Sequence, residues 1–282
     1  MFRAVLFVVS IFVLTFSATY FLAWSLQGDD QVESQAAVPQ AAASRGAFSV
    51  SQLRFTDAGP LAEYVYTEPQ NSFETHSLNH WLIPRRYHAY VKRSAKRDTK
   101  KPAIILLHGS GRSGVSVVDM WQSVANRYDL VLIAPDSLSG SVWSTTADPT
   151  SLFRAIIADA VDRFGVDPQR VYLFGHSAGG VYATLLALEE NSPFRAIATH
   201  GGFPSVGMVG HLSNHGRRKP PIRHYLGDMD HIFSVDRARA VGNRMKEAGY
   251  STELVLIPNH THWYYEIGPQ INERIWQFFK RQ

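Results

Sequence analysis

Cysteine is absent from this chain of 282 residues. The protein therefore cannot form a disulfide, use a thiolate nucleophile or bind a metal through sulfur ligands. Any covalent catalysis must use serine, threonine, lysine or a carboxylate. The absence of disulfides does not exclude export, because a chain of this length can bury a core large enough to be stable without them.

Charge is also scarce, and the deficit lies at the N-terminus. Charged residues make up 18% of the chain, against roughly 25% in an average soluble protein. The first 47 residues contain only two of the 28 basic and three of the 24 acidic residues, which leaves a net charge of +5 for the rest. That charge is too small for a protein whose main task is to bind many nucleic-acid phosphates. We therefore expect no nucleic-acid partner.

The N-terminal segment predicts export. Residues 4–26 carry no charge, and a helix of that length spans about 34 Å, enough to cross a bilayer core. No A-x-A-like cleavage site closes the run, so residues 1–26 are interpreted as a signal anchor, with a cleaved signal peptide or a buried helix as alternatives. Arg3 precedes the run and acidic residues follow it, which favours export of the remainder to the periplasm or cell exterior. Residues 27–47 are predicted to be a flexible linker, and residues 48–282 one folded domain.

The folded part alternates between strand-like and helix-like stretches. Residues 62–67 and 86–92 are predicted strands of an antiparallel lead-in. Six short apolar runs then predict strands buried on both faces, at 103–107, 130–134, 170–174, 195–199, 222–226 and 253–257. Helix-like stretches lie between and after them, at 115–128, 151–164, 179–190, 235–249 and 263–280. This alternation predicts a single α/β domain with a mostly parallel sheet and helices on both faces.

Ligands bind at the carboxyl ends of the strands in such sheets, and one strand end carries a nucleophile motif. Gly175-His176-Ser177-Ala178-Gly179 follows an apolar run and opens a helix-like stretch. The pattern G-x-S-x-G in that context is a nucleophile elbow, in which a sharp turn exposes the serine hydroxyl. Ser177 is therefore the predicted nucleophile.

A serine nucleophile needs a histidine base and a carboxylate that orients the base. In the chain order serine, acid, histidine, the acid comes from the turn after 222–226 and the histidine from the loop after 253–257. Asp228 and Asp230 compete for the first role. His262 is favoured for the second because it opens the terminal helix, with His260 as the alternative.

The motifs together resemble the α/β-hydrolase superfamily, specifically its polyhydroxybutyrate depolymerase and feruloyl esterase-like branch. The resemblance covers about residues 85–282 and rests on 107–111, 166–180, the G-x-x-D ending at Asp230, and His262-Trp263. It implies that Asp230 and His262 complete the triad. Ser110 stands where members of the branch commonly carry cysteine, and the chain lacks their disulfides and polymer-binding appendage. The resemblance therefore implies ester hydrolysis, whereas polymer degradation is not implied.

The oxyanion formed in acyl transfer requires two backbone donors. The amide of Ala178, directly after the nucleophile, is the first, and that of Ser110 is predicted as the second. His108 is interpreted as orienting this loop rather than acting as a base. The predicted substrate pocket includes His108, Trp143, His176 and Trp263. About 20 residues separate the runs 195–199 and 222–226, which is too few for a sizeable cap.

Two other motifs point to different chemistry. Residues 109–114 also spell G-x-G-x-x-G, the dinucleotide fingerprint, but neither Asp129 nor Asp136 has the spacing of the ribose-binding acid. The pairs His76/His80 and His211/His215 have an i, i+4 spacing that could ligate a metal. Both pairs lie in loop-like sequence without a suitable carboxylate, so they are interpreted as surface histidines. We expect no metal and no cofactor.

The sequence therefore predicts a serine hydrolase that cleaves carboxylic esters with short-chain or aromatic acyl groups through an acyl-enzyme. Its partners are an ester substrate and, through the N-terminal segment, a membrane; the oligomeric state is not indicated. A serine peptidase with the same triad is one alternative, because the acyl-transfer chemistry is shared. A non-catalytic binding protein on the same fold is the other.

Overall fold

A computed structural model describes residues 46–53, 73–92, 100–212 and 218–282. The predicted anchor, almost all of the predicted linker, the predicted strand 62–67 and His215 lie outside these ranges. The described residues belong to one compact unit, Ser44–Gln282. None of the helices in this part of the chain is both long and apolar enough to cross a membrane.

The described residues form a nine-stranded sheet with the order β1-β9-β8-β7-β6-β4-β5-β3-β2. Strands β4 to β9 and the edge strand β1 run parallel, and β3 pairs antiparallel with both β5 and β2. The strands are β1 Ala47–Gln52, β2 Glu74–His80, β3 Ile83–Tyr90, β4 Lys101–Leu107, β5 Val131–Pro135, β6 Val166–His176, β7 Ile197–His200, β8 Ile222–Gly227 and β9 Ser251–Ile257.

In the described ranges, five α-helices connect the successive strands from β4 to β9, and a 3₁₀ turn and a sixth α-helix follow β9. The helices are α1 Gly114–Tyr128, α2 Thr150–Phe164, α3 Ala178–Leu188, α4 Val206–Leu212, α5 Val235–Glu247 and α6 Gly268–Phe279, and the 3₁₀ turn is Tyr264–Glu266. The chain between β7 and β8 carries only the seven-residue helix α4 among its described residues.

The helices cover both faces of the sheet, as predicted. Alternate residues of a strand point to opposite faces, and Ile104 and Leu106 of β4 join a core cluster with Trp121 of α1 and Ile271 of α6. Helices α2, α3 and α5 pack on β6, β7 and β9 and add no described residue to that cluster, so they cover the other face. Ile105 is fully buried there.

The six predicted apolar strands are confirmed, whereas several polar or interrupted elements differ from the prediction. Strand β2 has the sequence ETHSLNH at the sheet edge, where partial exposure removes the need for an apolar run. The loop-like interpretation of His76 and His80 is therefore wrong, because both lie in this strand. The predicted helix 263–280 is interrupted; α6 begins at Gly268 with Pro269 in its first turn, where proline fits best.

Candidate active site

Ser177 occupies a sharp turn between β6, which ends at His176, and α3, which begins at Ala178. Its φ of 54° and ψ of −121° lie outside the regions that most L-residues adopt. The turn brings backbones so close that a Cβ on Gly175 would lie 2.1 Å from the carbonyl oxygen of Gly179. A Cβ on Gly179 would lie 2.3 Å from that of Leu107. These contacts explain why small residues flank the serine.

Ser177, His262 and Asp230 form a continuous hydrogen-bonded chain. His262 Nε2 lies 3.0 Å from Ser177 Oγ, and His262 Nδ1 lies 2.8 Å from Asp230 Oδ2. Because an ionised carboxylate only accepts hydrogen bonds, Nδ1 carries the ring proton and donates a hydrogen bond to Asp230. The neutral ring then has a lone pair at Nε2, which can accept the hydroxyl proton of Ser177.

The carboxylate of Asp230 is fixed by the loop that follows β8. Its side chain is fully buried, and Oδ1 accepts hydrogen bonds from the amides of Ile232 at 2.8 Å and Phe233 at 3.0 Å. Burial alone would raise the pKa of this carboxyl, but the hydrogen bonds from His262 and the two amides outweigh burial and lower it. Asp230 is therefore ionised, and its hydrogen bond keeps His262 in the tautomer that carries its proton on Nδ1.

The structure places the two competing side chains elsewhere. Asp228 Oδ1 accepts a hydrogen bond from the amide of Asn259 at 2.7 Å, which links the turn after β8 to the loop after β9. His260 is buried, and its Nε2 lies 3.0 Å from Nε2 of His200 instead of facing Ser177. Asp228 and His260 therefore lie outside the hydrogen-bonded chain that Asp230 and His262 form with Ser177.

The predicted oxyanion loop lies directly against Ser177. A Cβ on Gly109 would be 3.3 Å from Ser177 Cβ, so the backbone that leads into Ser110 passes beside the nucleophile. Ala178 is the first residue of α3, where an amide has no acceptor within its own helix. The amide of Ala178 is thus free of an intrahelical acceptor directly after the serine, and the backbone that leads to Ser110 passes beside it.

His108 orients this loop and does not face solvent. Its Nε2 accepts the amide of Ser137 at 3.1 Å, which leaves Nδ1 to donate to the carbonyl of Gly109 at 2.8 Å. Burial lowers the pKa of His108 and keeps the ring neutral. The indole of Trp143 donates to the carbonyl of His108 at 2.9 Å and so fixes the same loop.

Of the four side chains predicted to line the pocket, only the two tryptophans keep exposed surface. Trp143 and Trp263 are partly exposed, whereas His108 and His176 are buried. Burial therefore argues against a place for His108 and His176 on the pocket wall. The guanidinium of Arg112 lies 5.3 Å from the ring centroid of Trp263, which places a cation at the rim.

A cluster of three buried histidines, His176, His200 and His260, lies next to His262. The sequence placed His176 in the pocket and offered His260 as an alternative base, but it indicated no contact between them. The rings of His176 and His262 are 5.1 Å apart. His176 Nδ1 lies 3.2 Å from both the carbonyl oxygen and Nδ1 of His200, and His200 in turn contacts His260. Because a carbonyl only accepts, Nδ1 of His176 is the donor, which makes His200 Nδ1 an acceptor and His200 Nε2 the donor to His260.

Gly201 also received no role from the sequence. It follows β7 with a φ of 53°, and a Cβ at this position would lie 2.9 Å from His262 Nδ1 and 3.1 Å from Asp230 Oδ2. Only glycine leaves room there for the hydrogen bond between the two. The strand-end position of His200-Gly201-Gly202 is the sequence signal that could have identified both features.

A carboxylate of the protein itself binds the end of the G-x-G-x-x-G segment, residues 109–114. Oδ1 of Asp136 accepts the amide of Gly114, the first residue of α1, at 2.8 Å. Burial alone would raise the pKa of Asp136, but hydrogen bonds from His88, Gly114 and Arg86 outweigh it and lower the pKa. A carboxylate therefore already occupies the helix start where a dinucleotide phosphate would bind.

His76 and His80 do not form a metal site with each other. His76 and His80 are four residues apart on β2, which corresponds to about 13 Å along a strand. His76 contacts Glu74, and His80 contacts Ser151. Across all described residues, no group of three or more histidine, aspartate or glutamate side chains could hold a metal ion.

Two curated relatives bear out the resemblance drawn from the motifs. A poly(3-hydroxybutyrate) depolymerase of Ralstonia pickettii is 26% identical over 174 residues, which cover 54% of this chain and 35% of that protein. Feruloyl esterase B of Neurospora crassa is 27% identical over 142 residues, covering 46% and 49%. The chain thus spans between a third and a half of the length of these relatives.

Solved structures and a family profile agree on the fold. A poly(3-hydroxybutyrate) depolymerase from Bordetella parapertussis superposes with a TM-score of 0.53 at 18% identity, covering 75% of this chain and 95% of that one. A thermostable esterase superposes with a TM-score of 0.59 at 20% identity, covering 75% and 63%. The profile described as the alpha/beta hydrolase fold matches residues 102–278. The chain belongs to the α/β-hydrolase fold family.

Proposed function

We propose that this protein hydrolyses carboxylic esters through an acyl-enzyme formed on Ser177. The observation that carries the proposal is the unbroken chain from Ser177 Oγ through His262 to the buried carboxylate of Asp230. A serine hydroxyl is a weak nucleophile unless a base removes its proton as it attacks. The observed contacts provide that base in the required tautomer.

The reaction then follows from the positions of the groups. His262 Nε2 takes the proton of Ser177 Oγ while the oxygen attacks the ester carbonyl. The amides of Ser110 and Ala178 stabilise the oxyanion, and His262 returns the proton to the leaving alcohol. A water molecule activated by the same ring then hydrolyses the acyl-enzyme and restores the free serine.

The proposed substrates are esters with short-chain or aromatic acyl groups. Trp143 and Trp263 offer aromatic surface at the rim, and the described part of the segment between β7 and β8 supplies only the short helix α4 as a cover. Acyl carbons beyond the first few therefore gain little of the roughly 0.8 kcal/mol per buried methylene that a closed pocket would provide. A polyester depolymerase and a feruloyl esterase among the relatives are consistent with this class.

The proposed location is the exported side of a membrane. The uncharged run at 4–26, the single Arg3 before it and the acidic residues after it support a signal anchor at residues 1–26, with a cleaved signal as the alternative. Residues 27–47 would tether the hydrolase domain, residues 48–282. In the structure β1 already begins at Ala47 and pairs with β9, so the tether ends one residue earlier.

Hydrolysis of p-nitrophenyl esters tests the chemistry and the acyl preference together. We expect kcat/KM to be highest from acetyl to butyryl, to include feruloyl esters and to fall by octanoyl. Ser177→Ala should lower kcat by about 10⁴-fold or more. Full activity of this variant would exclude the serine mechanism, whereas faster cleavage of peptide anilides than of esters would favour the peptidase alternative.

A further inference from the structure

His200, the last residue of β7, holds the backbone of the nucleophile. Its carbonyl oxygen accepts a hydrogen bond from the amide of Ser177 at 2.9 Å and another from Nδ1 of His176 at 3.2 Å. One carbonyl group of the neighbouring strand therefore fixes both the nucleophile and the residue before it. A displacement of His200 would move the backbone that carries the Ser177 hydroxyl.

The imidazole of His200 connects the same strand end to the loops of the base and the acid. Its Nε2 donates to Nε2 of His260 at 3.0 Å, and His260 precedes His262 by two residues in the loop after β9. The carbonyl oxygen of His260 accepts a hydrogen bond from the amide of Met229 at 3.0 Å, in the turn that carries Asp230. The contact between His200 and His260 therefore joins the strand ends of all three triad residues.

The same imidazole also orients His176, whose ring packs against the base. His176 Nδ1 lies 3.2 Å from His200 Nδ1, and the ring centroids of His176 and His262 are 5.1 Å apart. Tyr264 packs on both members of the cluster, with its ring centroid 5.3 Å from that of His176 and 5.5 Å from that of His200. Its hydroxyl donates to Asn272 at 2.7 Å. The ring of His176 is therefore held against His262 by both hydrogen bonds and packing.

Core packing alone does not account for three adjacent imidazoles. A buried polar group costs free energy unless it is hydrogen-bonded, and apolar side chains would fill these positions without that cost. Burial lowers the pKa of His176, His200 and His260 and keeps the rings neutral. A neutral imidazole has one donor and one acceptor, so the hydrogen bonds run in one direction, from His176 to His200 and from His200 to His260.

We propose that His200 is a positioning residue for hydrolysis, whose imidazole holds the base at hydrogen-bonding distance from the nucleophile through His176 and His260. The inference rests on the proposed triad mechanism, and it gives the histidine cluster no proton-transfer step. Loss of the imidazole should disturb the 3.0 Å contact between His262 Nε2 and Ser177 Oγ. A misplacement of about 1 Å can lower a rate about 100-fold.

The test compares His200→Leu with His200→Gln in the hydrolysis of p-nitrophenyl acetate. Leucine has no hydrogen-bond donor, whereas the glutamine amide can donate to His260 in place of Nε2. We expect His200→Leu to lower kcat about 10- to 100-fold with KM nearly unchanged, and His200→Gln to recover most of this loss. His224→Leu is the matched control, because it removes a buried imidazole that contacts Thr199 and not the cluster. Its kcat should equal that of the wild type.

Proton NMR gives a readout that does not depend on turnover. The proton on His262 Nδ1, which is hydrogen-bonded to Asp230, should give a low-field resonance that disappears in His262→Ala. We expect this resonance to shift or broaden in His200→Leu and to keep its wild-type position in His200→Gln and His224→Leu. A wild-type protein that shows this behaviour but cleaves no ester would contradict the proposed function and leave the positioning role supported.

A double-mutant cycle tests whether the cluster acts as a unit. If His200 and His260 act through one hydrogen bond, His200→Leu with His260→Leu should be no slower than the slower single variant. Should His200→Leu fail to fold, His260→Leu and His260→Gln provide the same comparison, because glutamine keeps an acceptor for His200 Nε2. Unchanged kcat in the leucine variants would overturn the proposal. So would equal losses for leucine and glutamine, or single losses that multiply in the double variant.

Discussion

Five buried histidines with lowered pKa values should make the fold sensitive to mild acid. Burial lowers the pKa of His224 and His260 to about 4 and that of His176 to about 3, and it also lowers the pKa of His200 and His108. In the unfolded chain these imidazoles titrate near pH 6.5. Between these values the unfolded state binds more protons than the folded state, so stability is complete above about pH 6.5 and falls as the pH decreases toward 4.

The size of the effect follows from the same values. For a histidine whose pKa is about 4 when folded and 6.5 when unfolded, linkage predicts a loss of about 2 kcal/mol between pH 8 and pH 5. His224 alone would account for about 2 kcal/mol of this loss, a sizeable part of the roughly 5–15 kcal/mol by which a typical domain is stable, and the buried histidine cluster adds to the loss in the same direction. The carboxylates of Asp136 and Asp230 have lowered pKa values and therefore lose their contribution only below about pH 4.

Urea unfolding followed by tryptophan fluorescence at pH 8, 6.5 and 5 measures this loss. His224 allows a matched comparison, because its Nδ1 contacts only the hydroxyl of Thr199 at 2.8 Å and its Nε2 has no partner. His224→Leu should lose about 2 kcal/mol less than the wild type between pH 8 and 5, whereas substitution of the exposed His231 by Gln should leave the pH dependence unchanged. A wild-type free energy of unfolding that stayed constant from pH 8 to 5 would show that burial of these histidines does not couple folding to pH.

The imidazole base, the turn between β2 and β3, and the uncharged N-terminal run of the sequence each allow one further prediction. His262→Ala should lower kcat by about 10⁴-fold, while His260→Ala should cost far less because its ring faces His200; the reverse order, in steady-state kinetics, would mean that the base is misassigned. Trp81 and Leu82 join β2 to β3 with φ values of 52° and 65°, a backbone conformation that strains large L-residues. Trp81→Asn with Leu82→Gly should therefore stabilise this β2–β3 hairpin by about 1–2 kcal/mol for each relieved residue; a decrease in the urea midpoint would show that the two residues are not strained. Membranes washed with alkali should retain the intact chain, whereas a mature N-terminus between residues 27 and 47 would show that the predicted anchor is a cleaved signal.

The parallel core of the fold was predictable because buried strands need continuous apolar runs. Strand β5, with the sequence VLIAP, is buried throughout, and its continuous apolar run is typical of a strand covered on both faces. Strand β2 is only half buried at the sheet edge, so its polar sequence resembles a loop. The amphipathic signal of the terminal helix likewise could not show that a new helix begins at Gly268, with Pro269 in its first turn, after a 3₁₀ turn.

The site was predictable where a motif fixes geometry and ambiguous where only chain order is available. G-x-S-x-G requires the close backbone contacts seen at Gly175 and Gly179, so the local sequence alone identified the elbow. The choice between His260 and His262 depends on the direction of each side chain after β9, which neighbouring residues do not encode. The contact of His260 with His200 joins residues 60 positions apart, and only the assembled sheet brings them together.

Peptide mapping of the protein after reaction with a fluorophosphonate tests directly whether Ser177 is the nucleophile. We expect one phosphonylated residue per chain, Ser177, and no adduct in Ser177→Ala. Asp230→Asn should slow the labelling, because the buried carboxylate would no longer hold His262 in the tautomer that accepts the serine proton. An unlabelled Ser177, or an adduct on another residue, would contradict the assignment of the nucleophile.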